Sequence, residues 1–185
     1  RLTARGVDVS LVSTSNEEET GFVEVDIDAK GDASYKFATP AAWDRLQPDG
    51  IGSAASAADA VVFGTLGQRA EATRAAIRAA ISAAQYTVCD INLRPPFDDA
   101  VLVADSARGV DLLKLNDEEL LPVAIALGNE AARVAAEKCG ASGVTAEMVA
   151  KAAAAIGQAA KASVVVVTRG AAGAVVWDSA AEDEA

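Results

Sequence analysis

Val88-Cys89-Asp90-Ile91-Asn92-Leu93-Arg94-Pro95-Pro96 runs from an apolar start to a polar end, and two prolines close it off. Such a passage reads as a short buried strand that opens into a loop. The same grammar recurs on both sides of it. Upstream, Val61-Val62-Phe63 meets Gly64-Thr65 and a helical stretch from Glu71 to Ala84 follows. Downstream, a short helix near Val101 to Ala107 leads to Leu112-Leu113-Lys114-Leu115, and Asn116 opens a helix that holds Leu120, Leu121 and Val123 despite Pro122 in its first turn. Helical segments about Glu130 to Lys138 and Ala146 to Lys161 come next, the last with Thr145 as a plausible N-cap. Val164 to Val167 is a strand, Gly170 to Gly173 a turn, and Ala174 to Trp177 a further strand. Strand–helix alternation of this kind predicts an α/β protein with a mostly parallel sheet and helices on both faces. The unbroken valine run predicts a strand buried on both sides.

The segment before this has a different period. Val23, Val25 and Ile27 alternate with Glu24, Asp26 and Asp28, and Ala33, Tyr35 and Phe37 alternate with Ser34 and Lys36. With Lys30-Gly31-Asp32 as the turn, this predicts a β-hairpin with one wet face, a flap or lid beside the main layer. Its apolar face must be covered by something. Tyr35 and Phe37 therefore serve to cover a ligand ring, to pack on the core or to meet a second subunit. The tail Glu182-Asp183-Glu184-Ala185 is expected to be disordered.

Composition narrows the chemistry. The 185 residues carry 16 basic and 27 acidic side chains, a net charge of −11, and such a surface repels nucleic acid and anionic lipid. With no histidine in the chain, Ser-His-Asp hydrolysis and His-ligated zinc are excluded. What remains is chemistry by carboxylates, backbone amides, Lys, Arg and a metal ion such as Mg²⁺. Cys89 and Cys139 form no metal spacing, no apolar stretch reaches membrane-span length and no signal peptide opens the chain, so a reduced cytoplasmic protein is the expectation.

In open parallel sheets, ligands sit beyond the carboxyl ends of the strands. Gly64-Thr65, Asp90 to Arg94, Asn116 with Glu119, and Thr168-Arg169-Gly170 all stand at such ends. Arg94 suits a hydroxyl-rich or anionic substrate and the charge of phosphoryl transfer, and it equally suits a pairing with Asp90 or Asp98. Asn116 and Glu119 have the spacing of a capping box. They can also stand near a phosphate and a hydrated Mg²⁺, and the two roles are compatible. The glycines of Thr168-Arg169-Gly170-Ala171-Ala172-Gly173 permit close approach to a phosphate or an adenine, or simply a tight turn.

Taken in order, these pieces resemble the PfkB, or ribokinase-like, carbohydrate kinases. Thr20-Gly21 and Tyr35-Lys36-Phe37 with Pro40-Ala41-Ala42 are similar to the family's lid. Phe63-Gly64-Thr65-Leu66 resembles its "FGSL" stretch, and Asp90-Ile91-Asn92-Leu93-Arg94 the "D-x-N-x-R" of its fructokinase and 2-keto-3-deoxygluconate kinase branch. Lys114 to Leu120 matches "N-x-x-E", and Val167-Thr168-Arg169-Gly170 with Gly173 resembles "TxGxxG". The likeness runs from about Gly6 to Trp177. It implies a partial ribokinase-like kinase domain over residues 1–185, with residues 20–40 as the lid hairpin. The implied activity is ATP-dependent phosphorylation of a sugar hydroxyl, on fructose or a related keto-sugar or sugar acid rather than ribose or adenosine. Arg94 and Asn92, with Tyr35 and Phe37 of the lid, would meet the sugar. Asn116, Thr168, Gly170 and Gly173 would line the nucleotide site, and Glu119 would influence Mg²⁺. The lid would exclude water and could form a homodimer contact. Two family segments have no counterpart in these residues, the N-terminal glycine pair and the "D-x-x-G-A-G-D" motif that supplies the base. The expectation is that this chain by itself is inactive or nearly so, with no catalytic base assigned. The alternative is an inactive α/β remnant that binds a nucleotide or a partner subunit. A NAD-dependent dehydrogenase is disfavoured, because no GxGxxG follows a strand and opens a helix.

Overall fold

A computed structural model describes residues 1–29, 31, 33–140 and 143–182. The chain divides into two compact units, Arg1–Ala58 with Gly67–Ala84, and Asp59–Leu66 with Gln85–Ala185.

In the first unit, β1 (Val23–Ile27) and β2 (Ala33–Phe37) pair antiparallel, with Val23 opposite Phe37 and Val25 opposite Tyr35. Because side chains alternate along a strand, this register gathers Val23, Val25, Tyr35 and Phe37 on one face and Glu24, Asp26 and Lys36 on the other. The predicted hairpin is present. Of its expected turn, Lys30 and Asp32 lie outside the described residues. The apolar face is bare: Val25 is 51% exposed, Ile27 69% and Tyr35 44%. Packing of Tyr35 on the core is thereby corrected, since a two-stranded ribbon has no second layer of its own to close on. The Tyr35 and Phe37 rings stack on each other instead, 6.4 Å between centroids.

The base of the hairpin is held by a buried ion pair. Arg69 donates from Nε and Nη2 to the two carboxylate oxygens of Asp44 (2.8 and 2.7 Å), and Nη2 also reaches the Ala38 carbonyl at 2.6 Å. The guanidinium lies over the Trp43 ring, and that ring in turn covers Gly21, where a Cβ would meet it at 2.6 Å. The hydrogen bonds from Arg69 hold the Asp44 carboxyl below the usual aspartate range against the opposing effect of burial. Two helices complete the unit. α1 (Ile51–Ala57) packs on α2 (Glu71–Ala83) through small residues, with Ala55, Ala76 and Ala80 buried. Thr73 of α2 donates its hydroxyl to the Trp43 carbonyl and accepts the Leu46 amide.

The second unit is a five-stranded sheet in the order β3 (Val61–Gly64), β4 (Thr87–Asp90), β5 (Leu112–Asn116), β6 (Val164–Thr168), β7 (Ala174–Asp178). The first four strands are parallel and β7 runs antiparallel to β6. α3 (Ala100–Ala107) connects β4 to β5. α4 (Leu120–Leu127), α5 (Glu130–Glu137) and α6 (Ala146–Ala160) connect β5 to β6, and a single turn, α7 (Ser179–Glu182), follows β7. The chain is thus α/β with a mostly parallel sheet and a separate hairpin, and helix limits fall within a residue or two of those read from the sequence. Of the tail expected to be disordered, Glu182 instead ends α7, and Asp183 to Ala185 lie outside the described residues.

The helices begin where side-chain acceptors meet their first amides. Asp99 caps α3, Asn129 caps α5, and Thr145 accepts the Met148 amide at the start of α6, as its position predicts. Pro122 is tolerated in α4 because the amides of a first turn have no intrahelical partner to lose.

The two crossovers β4–β5 and β5–β6 step the same way across the sheet, so right-handed connections bring their helices to one face of this unit. There Cys89, Leu113, Leu115, Val165 and Val167 are fully buried, and α6, whose Ala152, Ala153, Ile156 and Ala160 are buried, packs on β6 and β7. The opposite face is only partly covered: Val164 and Val166 are half-buried and Val176 is 62% exposed. The valine run is therefore fully buried on one side and only partly buried on the other, short of the two-sided burial expected of it.

Candidate functional site

The parallel register carries the ends of neighbouring strands to one edge of the sheet. Gly64 lies opposite Asp90, Asp90 opposite Lys114, and Asn116 opposite Thr168. Gly64 is glycine for a packing reason, since a Cβ there would stand 2.8 Å from the Asp90 carbonyl oxygen. Thr65 does not point outward from this edge. It is buried and donates its hydroxyl to the Ile91 carbonyl at 2.8 Å. At the other edge, Asp111 accepts the amide and hydroxyl of Thr87, so its carboxylate is spent within the fold.

Ile91, fully buried, fixes the start of the loop after β4 by donating its amide to the Lys114 carbonyl at 3.1 Å. Asn92 follows in the left-handed region (φ 46°) and is exposed. Asn is among the few non-glycine residues that tolerate this region, and such a turn aims the next peptide sharply. The Leu93 amide then donates to Glu119 Oε1 at 2.7 Å. Arg94 is half-buried, and its Nη1 donates to the Leu93 carbonyl at 2.8 Å. Asp90, one of the partners considered for Arg94, accepts from Lys114 Nζ at 2.9 Å.

After β5 the expected capping box is present. The Asn116 side chain accepts the Glu119 amide (2.9 Å), and Glu119 Oε2 accepts the Asn116 amide (2.9 Å). Glu119 is 4% exposed, with one oxygen on each of two loops. After β6, Thr168 donates its hydroxyl to the Leu115 carbonyl at 3.2 Å. Arg169 to Gly173 then fold into a tight turn, in which the Arg169 amide donates to the Gly173 carbonyl and the Gly173 amide to the Gly170 carbonyl. Gly170 (φ 52°) and Gly173 (φ 83°) need positive φ, and a Cβ at either would meet nothing within 4 Å. The outer side of this turn is open.

Asn92, Arg94, Asn116, Glu119, Thr168, Gly170 and Gly173 thus follow three adjacent strands along one edge. Tyr35 and Phe37 belong to the first unit, on the bare face of the hairpin. Beneath the edge, Cys89 is an inert thiol: burial pushes it up to about 12, helped by the nearby carboxylates of Asp90 and Glu119. Sequence reasoning missed the tether from Glu119 to Leu93, because a backbone amide has no letter of its own. It also missed the Asp90–Lys114 pair, which only the strand register reveals.

Arg94 and the open glycine turn supply a fixed cation and a close-approach surface on one sheet edge, an arrangement suited to holding a phosphate-bearing ligand beside a polar one. Similar folds occur among solved sugar kinases. A fructokinase from Xylella fastidiosa with bound ATP matches with a TM-score of 0.71 at 18% identity, covering 97% of this chain and 54% of its own. A fructokinase from Vibrio cholerae in apo form matches at 0.66 and 23% identity (96% and 57%). An uncharacterized sugar kinase from Pyrococcus horikoshii matches at 0.68 and 16% identity (96% and 52%). At these identities the likeness is one of fold, and the chain spans about half the length of these structures. A comparison with curated proteins gives no match. The family model for pfkB family carbohydrate kinases matches residues 1–184. The chain belongs to the pfkB carbohydrate kinase family.

Proposed function

We propose that these residues form part of an ATP-dependent kinase that phosphorylates a sugar hydroxyl, with fructose or a related keto-sugar or sugar acid as acceptor. The observation that carries this reading is the shared edge. A loop with Arg94 follows β4 and a turn with two positive-φ glycines follows β6, the two parallel strands on either side of β5, in a chain of the carbohydrate kinase family. Arg94 and Asn92 hold the sugar. Thr168, Gly170 and Gly173 receive the nucleotide phosphates or adenine, and Asn116, whose side-chain oxygen is spent on the cap, presents its NH₂ group as a donor. By the family resemblance, residues 20–40 with Tyr35 and Phe37 are the lid segment, whose part in such kinases is to exclude water as a competing acceptor. All these roles are binding and positioning, and proton removal from the sugar hydroxyl is assigned to no residue of this chain. The bare apolar face of the hairpin fits the same face of a second copy as a homodimer contact. Two free cysteines suit a reducing, cytoplasmic setting, and among the described residues no helix is long and apolar enough to cross a membrane.

Magnesium is the ion that the family resemblance pairs with Glu119. Among the described residues no group of three or more His, Cys, Asp or Glu side chains is placed to hold a metal ion. Both Glu119 oxygens already accept amides. With its side chain 4% exposed and each oxygen turned to an amide of its own fold, Glu119 does not fit as a holder of the ion, and no step is routed through the metal.

The test is a coupled ADP-release assay over a panel of sugars, on the protein that contains these residues. Arg94→Ala should raise KM for the accepted sugar about tenfold or more, the scale of a lost charge-assisted hydrogen bond, and move KM for ATP much less. Equal effects on both would remove Arg94 from the sugar site.

A further inference from the structure

We propose that Glu119 is a positioning residue for the loop that carries Arg94: its carboxylate clamps the Leu93 amide and so sets where the guanidinium is delivered. The inference rests on the reading of Arg94 as the sugar-side cation.

The geometry asks for a carboxylate and nothing else. Both partners of Glu119 are donors, the Leu93 amide at 2.7 Å on Oε1 and the Asn116 amide at 2.9 Å on Oε2. An ionised carboxylate offers two acceptors, whereas glutamine offers one acceptor and one donor of the same shape. The side chain is 4% exposed, so water cannot easily replace a lost partner. Among the described residues it has no ion pair, and the charge is held by amides and by the start of the helical turn that leads into α4.

The two tethers are not equally redundant. Asn116 stays in place through the reciprocal bond from the Glu119 amide to its own side chain. Ile91 is likewise secured independently, by Thr65 on its carbonyl and by the Lys114 carbonyl on its amide. Between Ile91 and Arg94 the chain passes through the left-handed Asn92, and Glu119 is what holds the next peptide. A left-handed non-glycine residue persists where its surroundings over-determine it. Arg94 then folds its guanidinium onto the Leu93 carbonyl, so its resting position refers to the same clamped residue. Loss of the clamp therefore falls on the Arg94 loop and spares the cap.

Glu119→Gln is the discriminating variant. It should raise sugar KM roughly tenfold, the effect of one lost bond to a charged group, with KM for ATP and the Mg²⁺ concentration for half-maximal activity changed less than about twofold. In an Arg94→Ala background the same change should add little to sugar KM, because both act through one contact. A shifted Mg²⁺ dependence, rescued by excess metal, would overturn the inference in favour of a metal role. Additive effects with Arg94→Ala would overturn it in favour of an independent one. If Arg94→Ala alone leaves sugar KM unchanged, the underlying reading of the site fails instead. Should Glu119→Gln not fold, amide hydrogen exchange on the unaltered protein decides. Leu93, though in a loop, should exchange slowly beside an unprotected Asn92 amide, and fast exchange at Leu93 removes the clamp.

Discussion

Gly157→Ala should destabilise this protein, although the exchange ordinarily strengthens a helix. In an open helix interior, alanine gains about 1 kcal/mol over glycine. At Gly157 of α6, however, a Cβ would stand 2.5 Å from Cε3 and 2.8 Å from Cη2 of Trp177 on β7, and nearer still to Cζ3. Carbon atoms settle at about 3.5–4.0 Å, so the overlap is on the order of 1 Å. Trp177 is 8% exposed and Gly157 is buried, so the ring cannot simply swing away. Overpacking of this kind costs roughly 1–3 kcal/mol. The large overlap puts Gly157 at the upper end, and offsetting the helix gain leaves about 2 kcal/mol of net loss. Gly52 in α1 provides the control: a Cβ there meets nothing within 4 Å, and Gly52→Ala should be neutral or stabilising by up to about 1 kcal/mol. Urea unfolding followed by tryptophan fluorescence and far-UV circular dichroism measures both variants, with the slope m watched for a change in cooperativity. Adding Gly157→Ala to a Trp177→Leu background should cost much less than adding it to the unaltered chain. Stabilisation by Gly157→Ala equal to that by Gly52→Ala would refute the argument, since it would mean the ring is not packed on the helix.

Asp44→Asn strips the charge from the buried Arg69 pair and should cost roughly 3–5 kcal/mol, measured by the same denaturation, while the exposed Asp26→Asn control should change little. Because Asp44 is held below its ordinary value, its contribution is complete above about pH 4 and fades as the pH falls through the lowered folded value. The gap between the unaltered chain and Asp44→Asn should therefore close toward acid, and a gap constant down to pH 2 would contradict it. Ile27→Asp on the bare hairpin face should shift a dimer to monomer in sedimentation, with thermal stability of the monomer unchanged, and no change in mass would remove that face from any self-contact.

Much of the architecture is written locally. The alternation from Val23 to Phe37 announces the hairpin, Thr145 marks the start of α6, and the polar residues that end each apolar run identify the sheet edge. Local rules reach this far because caps, turns and strand periods are set within a few residues. The valine run from Val164 to Val167 misled, because a stretch without alternation carries no information about which side is covered. Asp44 and Arg69 are far apart in sequence and each reads as a solvated surface charge. Only the tertiary fold joins them under Trp43. Glu119 was legible as a cap and silent as a clamp, since its second partner is the main chain of another loop.

The order of strands in the second unit has a bearing on how the chain is made. β5 ends at Asn116 and its neighbour β6 begins only at Val164, with three helices spun out between them. As the polypeptide leaves the ribosome, β5 can settle against β4 while its far side stays open until that whole excursion has been synthesised. Leu112, Leu113 and Leu115 line a half-finished ladder during that interval, an invitation to pair with a neighbouring nascent chain. Distant pairing of this sort is the slow event of folding, so the arrival of Val164 to Thr168 sets the pace at which the sheet closes.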